Sequence, residues 1–189
     1  MAIHLDLLHH ITDDELVRLS AHNPGYQFER TAEGRLLVSP TGGESGRQSM
    51  EVAGQLYVWN VRIQGGIVFD SSTGFHLPDG SCLSPDASWI SRNRWQVLSP
   101  ADQTGLVPLC PDAVFEVGSP SDTLAHLQAK MRQYIQNGAA LGVLVDPEHH
   151  DVEVYRPGRE PELHSGASEI ALDPELPEFR LVLNGIWQG

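Results

Sequence analysis

The sequence predicts a single domain of mixed helix and strand, of the α/β or α+β class, over residues 1–189. Three observations carry this expectation: a capping box that opens a short first helix, a long apolar stripe at helical spacing, and a strand that runs through a turn into a second strong helix. That second helix holds Lys130, the only lysine of the chain. At 189 residues, with a hydrophobic fraction of 40% and a charged fraction of 20%, the chain is long enough to bury a substantial core.

Thr12-Asp13-Asp14-Glu15 places Thr12 as N-cap and Glu15 at the third helical position, ahead of Leu16, Val17 and Leu19. This helix should end near Asn23-Pro24-Gly25. Residues 26–30 and 35–39 then read as a hairpin around Glu33-Gly34. From 45 to about 64 the residues Val52, Leu56, Trp59 and Ile63 recur on one helical face, with Glu44, Gln48, Glu51 and Gln55 along its polar flank. Gly65-Gly66 closes it. Strands are expected at 67–70, 74–77 and 85–90, with a turn at Pro78-Asp79-Gly80 and a loop or short helix over 91–109. The strand at 112–118 alternates, so Asp112, Val114 and Glu116 share one face and Ala113, Phe115 and Val117 the other. A helix over 123–137 follows, with Leu124, Leu127, Met131, Tyr134 and Ile135 as its apolar stripe and Gly138 as its exit. Residues 141–145 and 152–156 form a hairpin around Pro147-Glu148-His149-His150, and one more strand is expected near 179–183.

The formal charge, 12 − 25 = −13, counts against broad docking on nucleic acid through many lysines and arginines. It suits a site whose carboxylates repel one another until a divalent cation arrives. Cys82 and Cys110 lack the close pairing of a metal motif, so free thiols in a reducing compartment are expected and a zinc site is not. The N-terminus lacks the basic start and apolar run of a signal peptide, and no stretch approaches a membrane span. A cytoplasmic protein is the resulting expectation.

Asp86, after Ser84-Pro85, and Glu116 lie in apolar strand segments, where a carboxylate needs hydrogen bonds, a cation or an exposed strand end. Mg²⁺ would satisfy both, since it takes oxygen ligands and needs only one or two carboxylates beside water and phosphate. Glu116 lies about 7 Å before its strand ends, and Lys130 about 12 Å into a helix that should return antiparallel. The two come level once the turn is allowed for, and Lys130 can lay its stem along the core with its ammonium at the strand end. Asp112 reads as a turn former, His149-His150 as an exposed hairpin tip, Arg92 and Arg94 beside Trp95 as a phosphate contact or a cation–π loop, and Ser119 as no nucleophile.

SPDASWI, then PDAVFEVGSPSD, then a helix with KMRQY ending in NGA, then LGVLVDPEHHDVEVYRPG resembles the Uma-type restriction endonuclease family of bacteria. The resemblance runs from the FERTAEGRLLVSP hairpin to the final strand. That family belongs to the PD-(D/E)XK nuclease superfamily, which implies a restriction-endonuclease-like core: a mixed sheet flanked by helices, with the metal site where strands diverge. By position it makes Asp86 the motif aspartate, Glu116 the second acid and Lys130 the lysine. Asp86, Glu116 and the carbonyl of Val117 would hold Mg²⁺, or Mn²⁺ in its place, for hydrolysis of nucleic-acid phosphodiesters, DNA first, by a protein that could act as a homodimer. Two departures stand out. The usual lysine position, two residues after the second acid, holds Gly118, and Arg47-Gln48 occupy the start of the long helix where many relatives carry histidine. Glu44 or Glu51 then become candidate extra ligands. The competing classes are a nuclease-fold protein without turnover that binds nucleic acid or protein, and an assembly module whose acids make only internal bonds.

Overall fold

The computed structural model describes residues 3–7, 10–40, 42–120 and 122–188. In chain order the elements are β1 (Ile3–Leu5), α1 (Asp13–His22), β2 (Tyr26–Arg30), β3 (Leu36–Pro40), α2 (Gly43–Ile63), β4 (Gly66–Asp70), β5 (Phe75–His76), β6 (Cys82–Leu83) and β7 (Ala87–Ser91). They continue with α3 (Arg92–Gln96), α4 (Pro100–Thr104), β8 (Ala113–Val117), α5 (Leu124–Gln136), β9 (Leu141–Asp146), β10 (Asp151–Tyr155), β11 (Glu162–Ser165), β12 (Glu169–Ala171), β13 (Arg180–Val182) and α6 (Asn184–Trp187).

A mixed sheet in the order β11-β10-β9-β8-β7-β4 organises the molecule, with β8 and β9 parallel and the other neighbours antiparallel. A parallel pair needs a crossover, and α5 supplies it. Every residue of β8 is buried, as expected of a strand covered on both faces. On one face Ala113, Phe115 and Val117 pack with Val52, Leu56 and Trp59 of α2 and with apolar residues of the C-terminal segment. On the other, Val114 packs with Leu127, Met131 and Tyr134 of α5 and with Phe75, Leu77 and Leu83. A second sheet, β1-β3-β2-β6-β5, lies beside this α5 layer, and β12 pairs with β13 apart from both.

The long helix α2 and the β8–α5 strand–helix unit lie within a residue or two of their expected bounds. Several details differ. Ile63 and Leu124, assigned to apolar stripes, are exposed because they sit in the terminal turns, beyond the packed layer. The segment 91–109 holds two short helices, and β1, β11 and β12 were not anticipated. These are short strands, with three or four residues each, too brief for a periodic signal to stand out.

Candidate active site

The β7–β8 pairing runs from Trp89↔Ala113 to Ala87↔Phe115 and then ends. Where the strands part, the Asp86 side chain replaces a strand neighbour: its Oδ2 accepts the Val117 N–H at 2.8 Å, and its Oδ1 accepts the Ser49 hydroxyl of α2 at 3.0 Å. Glu116 projects from the opposite side of β8 to Phe115, toward α5. Its Oε1 meets Lys130 Nζ at 2.8 Å and accepts the Tyr134 hydroxyl at 3.1 Å. Lys130 and Tyr134 are one helical turn apart on the buried face of α5, so they reach the same carboxylate.

A third acid joins them. Glu29, on β2 of the second sheet, places Oε1 3.0 Å from Lys130 Nζ and accepts the Ser84 N–H at 2.6 Å. The sequence reading missed Glu29, although a signal exists: it is a carboxylate inside the hairpin strand Tyr26–Arg30, in the very segment that carries the family resemblance. Glu29, Asp86, Glu116, Val117 and Lys130 line one polar cavity of about 90 Å³.

Burial dominates the electrostatics. It raises the Asp86 carboxyl despite hydrogen bonds from Val117 and Ser49 and the nearby Lys130 charge. It also raises Glu116, and the repulsion of Asp86 and Glu29 adds to this against the attraction of Lys130. Burial alone would lower Lys130, but the charges of Glu116 and Glu29 outweigh it and raise its pKa, so the side chain stays an ammonium. Desolvation and then the Glu116 charge hold Tyr134 well above the ordinary phenol range. Three carboxylates around one ammonium leave the cavity short of positive charge, and an all-oxygen donor set suits a hard divalent cation. The residues therefore fit the metal that the resemblance implies. Among the described residues, however, the group of three potential ligands whose atoms lie within 4.8 Å of one another is Asp13, His76 and Cys82 rather than these acids.

Other candidates fall outside the cavity. Glu44 is exposed and chelated by Arg47, which reaches it at 2.6 Å and also donates to the Gly185 carbonyl at 2.8 Å. Glu44 lines a different cavity from Asp86 and Glu116, and Glu51, near Gly185, is likewise exposed. Gln48, near the start of α2, donates to the Ile186 carbonyl. Asp112 caps the Ser91 N–H and pairs with Arg94 at 2.7 Å, while Arg92 donates to the Gln64 carbonyl, so both arginines hold loop structure. His149 pairs with Asp146 at the exposed hairpin tip, and His150 stacks on Trp187. Cys82 and Cys110 are free and buried, and burial pushes both thiols up to about 12.

A mixed sheet flanked by helices, with an aspartate, a glutamate and a lysine meeting where two strands part, defines a restriction-endonuclease-like α+β protein. The chain belongs to the Uma2 family, described as "Putative restriction endonuclease", whose model matches residues 13–184. Among solved structures it is similar to "a putative nuclease belonging to DUF820 from Anabaena variabilis ATCC 29413", with a TM-score of 0.74 and 20% identity over 94% of this chain and 97% of that one. A search of curated proteins finds no match. No helix among the described residues is long and apolar enough to cross a membrane.

Proposed function

We propose that the protein is a metal-dependent endonuclease that hydrolyses nucleic-acid phosphodiester bonds, DNA being the favoured substrate. The observation that supports this reading most is the meeting of Asp86, Glu116 and Lys130 at the parting of β7 and β8, in a chain of a nuclease family. Asp86 and Glu116, with the Val117 carbonyl, would hold Mg²⁺ or Mn²⁺; Glu29 is a further acid of the same cavity. When bound, the ion would polarise the phosphoryl oxygen and lower the pKa of water.

The chain's own residues do the rest. Lys130, kept protonated by two carboxylates, cannot serve as a proton acceptor; it orients water and offsets negative charge that grows on the phosphate. Tyr134 fixes one oxygen of Glu116, and Ser49 with the Val117 N–H fixes both oxygens of Asp86, so neither acid has to reorganise when substrate arrives.

One observation favours a second reading. The Lys130 ammonium already spends its charge on Glu29 and Glu116, an arrangement that a binding protein without turnover would also tolerate. The deciding measurement is cleavage of supercoiled and linear DNA, and of RNA, by purified protein with Mg²⁺ or Mn²⁺. Cleavage should fall at least a hundredfold in Asp86→Asn, Glu116→Gln and Lys130→Met. Binding without cleavage in the wild type supports the second reading, and equal cleavage by wild type and variants sinks the first.

A further inference from the structure

We propose that Asp13, His76 and Cys82 form a separate zinc site that shares no residue with the Lys130 cavity. His76 and Cys82 are direct partners in the antiparallel β5–β6 pair, and Cys82 is in turn the partner of Arg30 on β2. Directly opposed residues point to the same face of a sheet, so a cation, a thiol and an imidazole stand in a row across three strands. Asp13, the first residue of α1, lies over that row. Its Oδ2 is 2.5 Å from His76 Nδ1, and the Cys82 thiol approaches its Oδ1 at 3.9 Å.

The three ligand atoms all lie within 4.8 Å of one another. In tetrahedral zinc sites with bonds of about 2.0 Å to nitrogen or oxygen and about 2.3 Å to sulfur, neighbouring ligand atoms stand about 3.3 to 3.8 Å apart. The contacts around Asp13 fall on either side of that range, so small side-chain rotations would close the site. Arg30 serves as outer support: it holds Asp13 Oδ1 at 2.7 Å while its other contacts, to the Ile11 and Gly80 carbonyls, fix the guanidinium. Ligating carboxylates are commonly oriented by such partners.

Arg30 and Asp13 alone already tie α1 to β2, without the imidazole or the thiol. The imidazole and thiol add the borderline and soft donors that select zinc over magnesium. Zinc displaces the thiol proton, as metal binding at cysteine requires. Cys82 is 2% exposed whereas the Asp13 and His76 side chains are 39% and 38% exposed, which leaves the fourth position on the solvent side, open to water. The ion would pin the start of α1, a helix with Leu16 as its buried residue, to the β5–β6 hairpin. Asp13 comes from α1 and the other two ligands from the β5–β6 hairpin, so the spacing of the two cysteines did not reveal them.

The test uses the full chain, stripped with chelator and titrated anaerobically with Co²⁺ as a spectroscopic stand-in for Zn²⁺. One equivalent should produce visible tetrahedral bands and a near-ultraviolet thiolate-to-cobalt band, both abolished by one equivalent of Zn²⁺. Cys82→Ser should remove the thiolate band, while Cys110→Ser and the active-site variant Glu116→Gln keep it. Absence of the band in the wild type, or its survival in Cys82→Ser, overturns the proposal. Because Cys82 is buried, His76→Ala, at a partly exposed ring, is read beside it: Co²⁺ affinity should drop at least tenfold, and unchanged affinity also overturns the site.

Discussion

Lys130 has two carboxylates within 3.0 Å and a tyrosine ring 6.0 Å away, and it is 9% exposed, so its contribution depends on staying paired. Removing one member of a buried ion cluster strands the others, at a cost of about 3 to 5 kcal/mol. Lys130→Met should therefore lower the unfolding free energy by about that much in a urea titration, whereas Lys130→Met combined with Glu29→Gln and Glu116→Gln should recover most of it. A single variant as stable as wild type would show that the cluster is not held as described. Lys130→Arg tests the charge separately: the planar guanidinium is larger than an ammonium and the cavity is only about 90 Å³, so cleavage should fall at least tenfold, and full activity would remove the special role of lysine. Ser49→Ala, which deletes one hydrogen bond to Asp86, should cost about 1 kcal/mol. The pairing of Lys130 with Glu116 was legible because both lie in one strand–turn–helix unit, where the rise per residue fixes who meets whom. Glu29 was not, because it arrives from another sheet, whereas the pairing of Glu44 with Arg47 was open to reading, since the two stand three residues apart on one helix.

At the scale of elements, α5 carries Lys130 and Tyr134, and both of its ends are fastened by side chains. Thr123 accepts the His126 N–H at the start, and at the end Asp79 of the Pro78-Asp79-Gly80 turn accepts from Asn137 and Gln133. Partial burial would raise the Asp79 carboxyl, but hydrogen bonds from Ser81, Gln133 and Asn137 outweigh it and hold the pKa below its ordinary value. A depressed folded pKa means that this stabilisation is fully present above the ordinary carboxylate range and is lost as pH falls through the lower folded value. Urea midpoints measured from about pH 5 to about pH 2 should thus fall less steeply in Asp79→Asn than in wild type, by a modest margin because the group is exposed. An unchanged acid limb would mean the clamp contributes nothing. The same scale explains which elements could be read in advance. The apolar stripes of α2 and α5 run through several turns and bury Val52, Leu56 and Trp59, or Leu127, Met131 and Tyr134, whereas β11 exposes most of its residues and owes its place to pairing with β10.

For the whole molecule, the −13 charge gains meaning from where the cations are. Arg35, Arg47, Arg94, Arg156 and Arg180 each face a carboxylate, and Arg30 and Lys130 are buried against theirs. Arg18, Arg62, Arg92, Arg132 and Arg159 are exposed but lie on separate elements and loops, whereas four acids, Glu29, Asp86, Glu116 and Asp122, line the one cavity. On the proposed reading, a nucleic acid at this cavity would be held by few ionic contacts, with a bound divalent ion supplying positive charge beside the acids. Without metal, fluorescence anisotropy should report weak binding to duplex DNA, with a log K against log[salt] slope of about −2 to −3 rather than the roughly −10 of a protein that grips many phosphates. Ca²⁺, a hard cation that takes oxygen ligands, should tighten binding at least tenfold. Asp86→Asn combined with Glu116→Gln should tighten the metal-free complex, because it removes two repulsive charges beside the phosphate, and should abolish the response to Ca²⁺. A steep salt slope that neither the ion nor the substitutions alter would place nucleic-acid binding on some other surface and separate it from the Asp86–Glu116 site.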